Sequence, residues 1–133
     1  MAVVSTETLP VVSEADIVTV RRRVRETATH LGFSLVDQTK VVTAASELAR
    51  NTLIYGKGGE MELIILNGPR VGLRLLFSDR GPGIPDIDLA LRDGFTTGSG
   101  LGLGLGGAKR LVNDFEVVSR AGEGTKVTVT RWK

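Results

Sequence analysis

With 133 residues, 41% of them hydrophobic, no cysteine and one histidine, the chain suits a single domain with one core. That inventory excludes a disulfide framework, a thiolate metal site and a multi-histidine metal cluster. Seventeen basic residues against fifteen acidic ones leave a net charge of +2, and aromatics are 5%, which is too balanced and too poor in stacking side chains for a nucleic-acid binder. The N-terminus has no basic region leading into a long apolar run, and no apolar stretch reaches the roughly 18 residues of a membrane span. No signal peptide and no membrane association are expected, and the cytoplasm is the default location.

The elements follow in chain order. Ala2 to Leu9 reads as an edge strand. Ser13 and Asp16 then form a capping-box pattern. Ile17, Val20, Val24, Ala28 and Leu31 recur at helical spacing up to the stop at Gly32. The arginine run 21–23 lies on this helix, where its three members point in different directions and read as a solvated face. A second helix spans about Val36 to Tyr55, with Val41, Ala45, Leu48, Thr52 and Tyr55 as its inward stripe and Gly56 as its end. Met61–Leu66 and Val71–Phe77 read as a hairpin across Asn67-Gly68-Pro69-Arg70. A loop from Asp79 to Pro85 and a short helix over Asp86–Arg92 come next. A glycine-rich stretch leads into a helix over about Leu103–Val112. Phe115–Ser119 and Lys126–Arg131 close the chain as a second hairpin across Ala121-Gly122-Glu123-Gly124. Hairpins with segregated helices predict an α+β fold, a two-layer sandwich whose mixed, mostly antiparallel sheet is covered by helices on one face. A doubly wound sheet would require strands and helices to alternate.

Three segments carry the chemistry. On the second helix, Glu47 and Asn51 are four apart and share a face, with Arg50 beside them. A carboxylate next to an amide oxygen suits a hard cation that takes its remaining ligands from phosphate. After an apolar strand comes Asp79-Arg80-Gly81-Pro82-Gly83-Ile84, where a carboxylate can accept from a ligand amine and the glycines let backbone approach closely. The run Gly98-Ser99-Gly100-Leu101-Gly102-Leu103-Gly104-Leu105-Gly106-Gly107 opens a helix, so its backbone N–H groups can receive phosphate. Leucine at alternate positions separates it from a polar flexible linker. Gly102-x-Gly104-x-x-Gly107 fits the dinucleotide fingerprint, yet it lacks the strand–helix–strand frame that gives the fingerprint meaning. No P-loop pattern is present, and the His-Arg-Asp and Asp-Phe-Gly signatures of eukaryotic-type kinases are missing.

In this order and on these elements, the three segments resemble the N, G1 and G2 boxes of the GHKL ATPases, the superfamily of gyrase, heat-shock-90, histidine-kinase and mismatch-repair relatives. Gly122-Glu123-Gly124-Thr125 resembles that family's Gly-Thr turn beside adenine. Ser46-Glu47-Leu48-Ala49-Arg50-Asn51, Gly81 to Ile87, Asp93-Gly94-Phe95-Thr96-Thr97 and Ala108 to Leu111 are most similar to the bacterial anti-sigma-factor kinase group, and within it to the switch kinases of the stressosome. The resemblance implies a Bergerat-type ATP-binding fold over residues 1–133 and an ATP- and Mg²⁺-dependent serine/threonine protein kinase. It also implies STAS-domain antagonist or scaffold proteins as substrates and a PP2C-type phosphatase activated by binding.

Residue by residue, it implies that Glu47 orients or deprotonates the acceptor hydroxyl and that Asn51 ligates Mg²⁺. Asp79 would accept from the adenine amino group. Gly81 and Gly83 would shape the adenine pocket, and Thr125 would hydrogen-bond near it. Gly100, Leu101, Gly102, Leu103 and Gly104 would cradle phosphate, and Thr96 and Thr97 would sit in the lid. Arg50 would contact phosphate or a partner, or pair with Glu47. The glycine run is denser than the family pattern requires. Two other readings compete. A non-catalytic ATP-gated binding module would have no need of Glu47. A histidine kinase would need a phosphoacceptor, and His30 lacks the acid that usually follows one.

Overall fold

The structure is a computed structural model that describes residues 2–84 and 101–133. The elements are β1 (Ala2–Val11), α1 (Glu14–His30), α2 (Leu35–Ile54), β2 (Gly59–Asn67), β3 (Gly72–Asp79), α3 (Leu101–Arg110), β4 (Asp114–Arg120) and β5 (Gly124–Trp132). The expected helix over Asp86–Arg92 lies outside the described residues.

Local chemistry sets the helix ends. At the start of α1, Ser13 Oγ accepts from the Asp16 N–H at 3.1 Å, and the Asp16 carboxylate accepts from Val12 N–H at 2.9 Å. The expected capping box therefore forms, with its return bond one residue earlier than the usual pattern. Gly32, at φ +84°, follows the helix and takes the left-handed conformation that favours glycine. Ser34 caps α2 in the same way, its Oγ accepting from Asp37 N–H at 3.1 Å, so α2 starts at Leu35.

The five strands form one sheet in the order β1-β2-β3-β5-β4, and every pairing is antiparallel. The expectation of a mostly antiparallel sheet is met without a parallel pair among the described strands. Phe77 stands opposite Met61 on one side and Val127 on the other, and Leu75 opposite Leu63 and Val129. This row faces the helices and is buried, with Leu75 at 0% exposure. The helix α2 is central, burying Val41, Val42, Ala44, Ala45, Leu48, Ala49 and Thr52 among α1, α3 and the sheet. Its buried surface is thus broader than the single predicted stripe, because it has neighbours on three sides. On the opposite sheet face, Trp132 lies over Gly72, where a Cβ would meet the indole ring at 2.6 Å, and Trp132 Nε1 donates to Asp114 at 2.7 Å. An aromatic covering a cross-strand glycine restores packing that the glycine lacks. On the same face Thr130 is buried and accepts from Arg74 Nε at 2.9 Å.

Two findings modify the local reading. The arginine run 21–23 is not uniformly solvated: Arg23 turns inward and its Nη2 binds Glu7 of β1 at 2.7 Å, while Arg22 pairs with Glu26 at 3.6 Å. The third helix spans Leu101–Arg110 rather than Leu103–Val112. Glycines in its interior cost roughly 1 kcal/mol each against alanine. Burial of Leu105 at 1% and Ala108 at 0% exposure against the core opposes that cost.

Candidate functional site: a cleft beside Asp79

The site lies where the C-terminal half of α2, the end of β3, the first turns of α3 and the start of β5 meet. A narrow cavity of about 20 Å³ there is lined by Leu48, Asn51, Thr52 and Tyr55 from α2, Phe77 and Asp79 from β3, Ile84, Leu105 from α3, and Thr125 and Val127 from β5. Three of the sequence-predicted segments and the Gly-Thr turn therefore converge on one place.

Asp79 is the electrostatic centre. Its Oδ1 accepts from Gly81 N–H at 2.9 Å and from Thr125 N–H at 3.2 Å. Its Oδ2 accepts nothing among the described residues. Burial pushes the Asp79 carboxyl above its ordinary range, and the two backbone donors offset only part of that rise. One oxygen is thus fixed while the other is left, partly desolvated, for a donor that the described chain does not supply.

The glycines act first as packing devices around this carboxylate. A Cβ on Gly56, just after α2, would collide with the Asp79 side chain, and one on Gly81 would meet Gly56 Cα at 2.7 Å. Gly124 has φ +92°, and a Cβ there would strike the Asp79 carbonyl. The loop 81–84 is tied to the second hairpin by Gly122 N–H donating to Pro82 O at 2.9 Å and Ile84 N–H donating to Ser119 Oγ at 2.7 Å. Gly83, at φ +81°, lies against the Arg120 backbone. Close approach of backbone to backbone is what Gly81 and Gly83 provide here, and this shapes the pocket from behind.

On α2, Asn51 is half-buried, and its Nδ2 is a buried polar atom with no hydrogen-bond partner among the described residues. Such an atom is costly unless a ligand completes it. Glu47, one turn earlier, is exposed and makes no side-chain hydrogen bond or ion pair among the described residues. Arg50 does not pair with Glu47; its Nη1 lies 3.8 Å from Glu14 of α1, an exposed contact of the kind worth little energy. Leu101, Gly102, Leu103 and Gly104 are the first described residues of α3, and Leu105 of that helix lines the cavity. Thr96, Thr97 and Gly100 lie outside the described residues. Ser119 was not anticipated: its Oγ contacts Ile84 N–H, Gly124 O and Thr125 Oγ1. Only the cross-strand register Ser119↔Thr125 brings it to the site, and no local sequence pattern signals that pairing.

Residues 36–133 match the family of histidine kinase-, DNA gyrase B- and HSP90-like ATPases. Over 123 residues the chain is 44% identical to the serine/threonine-protein kinase RsbT of Bacillus subtilis (strain 168), covering 92% of each chain. It is 28% identical over 112 residues to the anti-sigma F factor of Thermoanaerobacter sp. (strain X514), covering 79% of this chain and 77% of that one. In fold it resembles the crystal structure of the RsbU and RsbW domains of a Mycobacterium tuberculosis protein, with a TM-score of 0.66 and 23% identity over 96% of this chain; the chain spans about a third, 32%, of that structure's length. The chain belongs to this ATPase family, and within it to the RsbT-type serine/threonine protein kinases.

No helix among the described residues is long and apolar enough to cross a membrane.

Proposed function

We propose that the chain, as one GHKL domain over residues 1–133, transfers the γ-phosphoryl group of ATP to serine or threonine on STAS-domain regulatory or scaffold proteins in a cytoplasmic partner-switching pathway that responds to stress. We further propose that it activates a PP2C-type phosphatase by binding it. The observation that carries the reading is one cavity lined by both Asp79, with one oxygen held by Gly81 and Thr125 and the other without a partner among the described residues, and Asn51, whose Nδ2 has no partner among the described residues. Kinship to a serine/threonine kinase and to an anti-sigma factor supports the pathway.

In this reading Asp79 Oδ2 accepts from the adenine amino group, and Thr125 borders the base. Gly81 and Gly83 hold the pocket's shape. The segment Gly100, Leu101, Gly102, Leu103 and Gly104 would receive the phosphates with backbone N–H groups. Thr96 and Thr97 belong to the lid. Arg50, exposed on α2, would contact phosphate or a protein partner.

The residues fit Mg²⁺. An ion held largely by phosphate and water needs only one or two oxygen ligands from the protein. The Asn51 amide at the cavity can offer its carbonyl oxygen when turned, since amide oxygen and nitrogen are interchangeable in orientation. When bound, the ion supplies neutralisation of phosphate charge. Glu47, exposed one turn away, orients the incoming hydroxyl and takes its proton. Its exposure suits an acceptor carried on another protein. Glu47→Ala is expected to keep ATP affinity and abolish transfer; retained transfer removes Glu47 from the chemistry.

A further inference from the structure

The hydroxyl of Ser119 contacts three groups, and it has one proton and two lone pairs to share. Ile84 N–H, at 2.7 Å, can only donate, so it occupies one lone pair. The Gly124 carbonyl, at 3.2 Å, can only accept, so it takes the Ser119 proton. Thr125 Oγ1, at 2.9 Å, must therefore donate to the second lone pair. With its proton spent on Ser119, Thr125 Oγ1 has only lone pairs left for the cavity it lines. Asp79 lines the same cavity, and its Oδ2 is also an acceptor without a partner among the described residues. This wall of the cavity thus consists of acceptors.

We infer that Ser119 is a specificity-determining positioning residue: by accepting the Thr125 proton it keeps the Asp79–Thr125 wall of the cavity free of donors at the purine 6-position, so that a 6-amino purine is favoured over a 6-oxo purine. The inference rests on the nucleotide reading above and adds to it a residue that touches no ligand. An exocyclic amino group brings N–H donors to Asp79 and Thr125. At the 6-position an oxo group brings lone pairs against the same two acceptors, a mismatch that disfavours the analogue even though its N1 carries a hydrogen. In Ser119→Ala the Thr125 hydroxyl loses its acceptor, turns, and can donate to an oxo group. The Asp79 carboxylate is untouched by the change.

The test is nucleotide binding with ATP and ITP, which differ in the amino or oxo group at the purine 6-position and in N1, bare in adenine and hydrogen-bearing in hypoxanthine, measured by calorimetry on wild type, Ser119→Ala, Ser119→Thr and Thr125→Val. Wild type should prefer ATP. Ser119→Ala should reduce the ATP-to-ITP affinity ratio by about tenfold, the worth of one hydrogen bond to a polar group left mispaired. Ser119→Thr keeps a hydroxyl on a strand and should restore the ratio, which a purely structural role would not require. Thr125→Val should reduce the ratio like Ser119→Ala, and it provides the test if the alanine variant does not fold. An unchanged ratio in Ser119→Ala and Thr125→Val, with wild type still preferring ATP, overturns the role of Ser119 and leaves the nucleotide site standing. Wild type that binds neither nucleotide overturns both.

Discussion

Asp79→Asn should separate stability from function. In the wild-type fold the carboxylate is partly desolvated, and burial raises its pKa despite the Gly81 and Thr125 N–H bonds. For a carboxyl whose folded value lies above its unfolded one, the folded state holds more protons in the interval between them. Its contribution to stability is therefore greatest below the ordinary carboxyl value of 3.8 and declines as pH rises through the folded value. At neutral pH the ionised group is a net cost. Asparagine keeps an oxygen for both backbone donors and removes the charge, so neutral-pH stability should rise by about 0.5–2 kcal/mol, the range of single stabilising changes at strained functional sites. In a chain of 133 residues each kcal/mol moves the melting temperature by about 3–5 °C. The same substitution puts an N–H₂ donor where Oδ2 stood, facing the adenine amino group, and ATP affinity should fall by at least about a hundredfold, the scale of a buried polar mismatch. Thermal melts at neutral and acidic pH with ATP titration of the same sample give both readouts. A variant that melts no higher than wild type at neutral pH would refute the electrostatic argument. A variant that binds ATP as wild type does would refute the placement of adenine.

Other expectations concern the frame and its pH response. Leu75→Ala removes a fully buried side chain from the sheet's inner face and should lower the unfolding free energy by about 3–5 kcal/mol, seen as a shifted urea midpoint at unchanged slope. Asp37 of α2 accepts from Arg131 Nη2 at 2.6 Å, and that hydrogen bond, with help from the Arg131 charge, holds its pKa below the ordinary range. The stability this pair contributes is present above the unfolded carboxyl value and is lost as pH falls through the folded one. Asp37→Asn should therefore be less stable than wild type at neutral pH, with the gap closing in acid; a gap constant with pH would contradict the pairing.

Sequence made the local devices visible. Ser13 and Gly32 mark the ends of α1 because capping and left-handed turns depend on residues close in the chain. The three glycine- and acid-bearing segments were legible for the same reason, and Asp79 and Asn51 do meet at one cavity. What depends on distant chain was hidden. The insertion of β5 between β3 and β4 gives Asp79 its Thr125 donor and delivers Ser119, and no local pattern encodes it. Propensity misplaced the start of α3, since the glycines at 102 and 104 argue against helix while packing of Leu105 and Ala108 favours it. Arg50 pairs with Glu14, an acid on another helix that α2's own sequence could not reveal.

Phosphotransfer is the most direct test of the central claim. The protein, Mg²⁺ and γ-labelled ATP would be incubated with a STAS-domain scaffold protein from the same genome, and acid-stable label sought on the scaffold. Labelled serine or threonine, absent with Glu47→Ala, is the predicted result. Tight ATP binding with no label on any such scaffold would contradict it and mark the chain as an ATP-gated binding module.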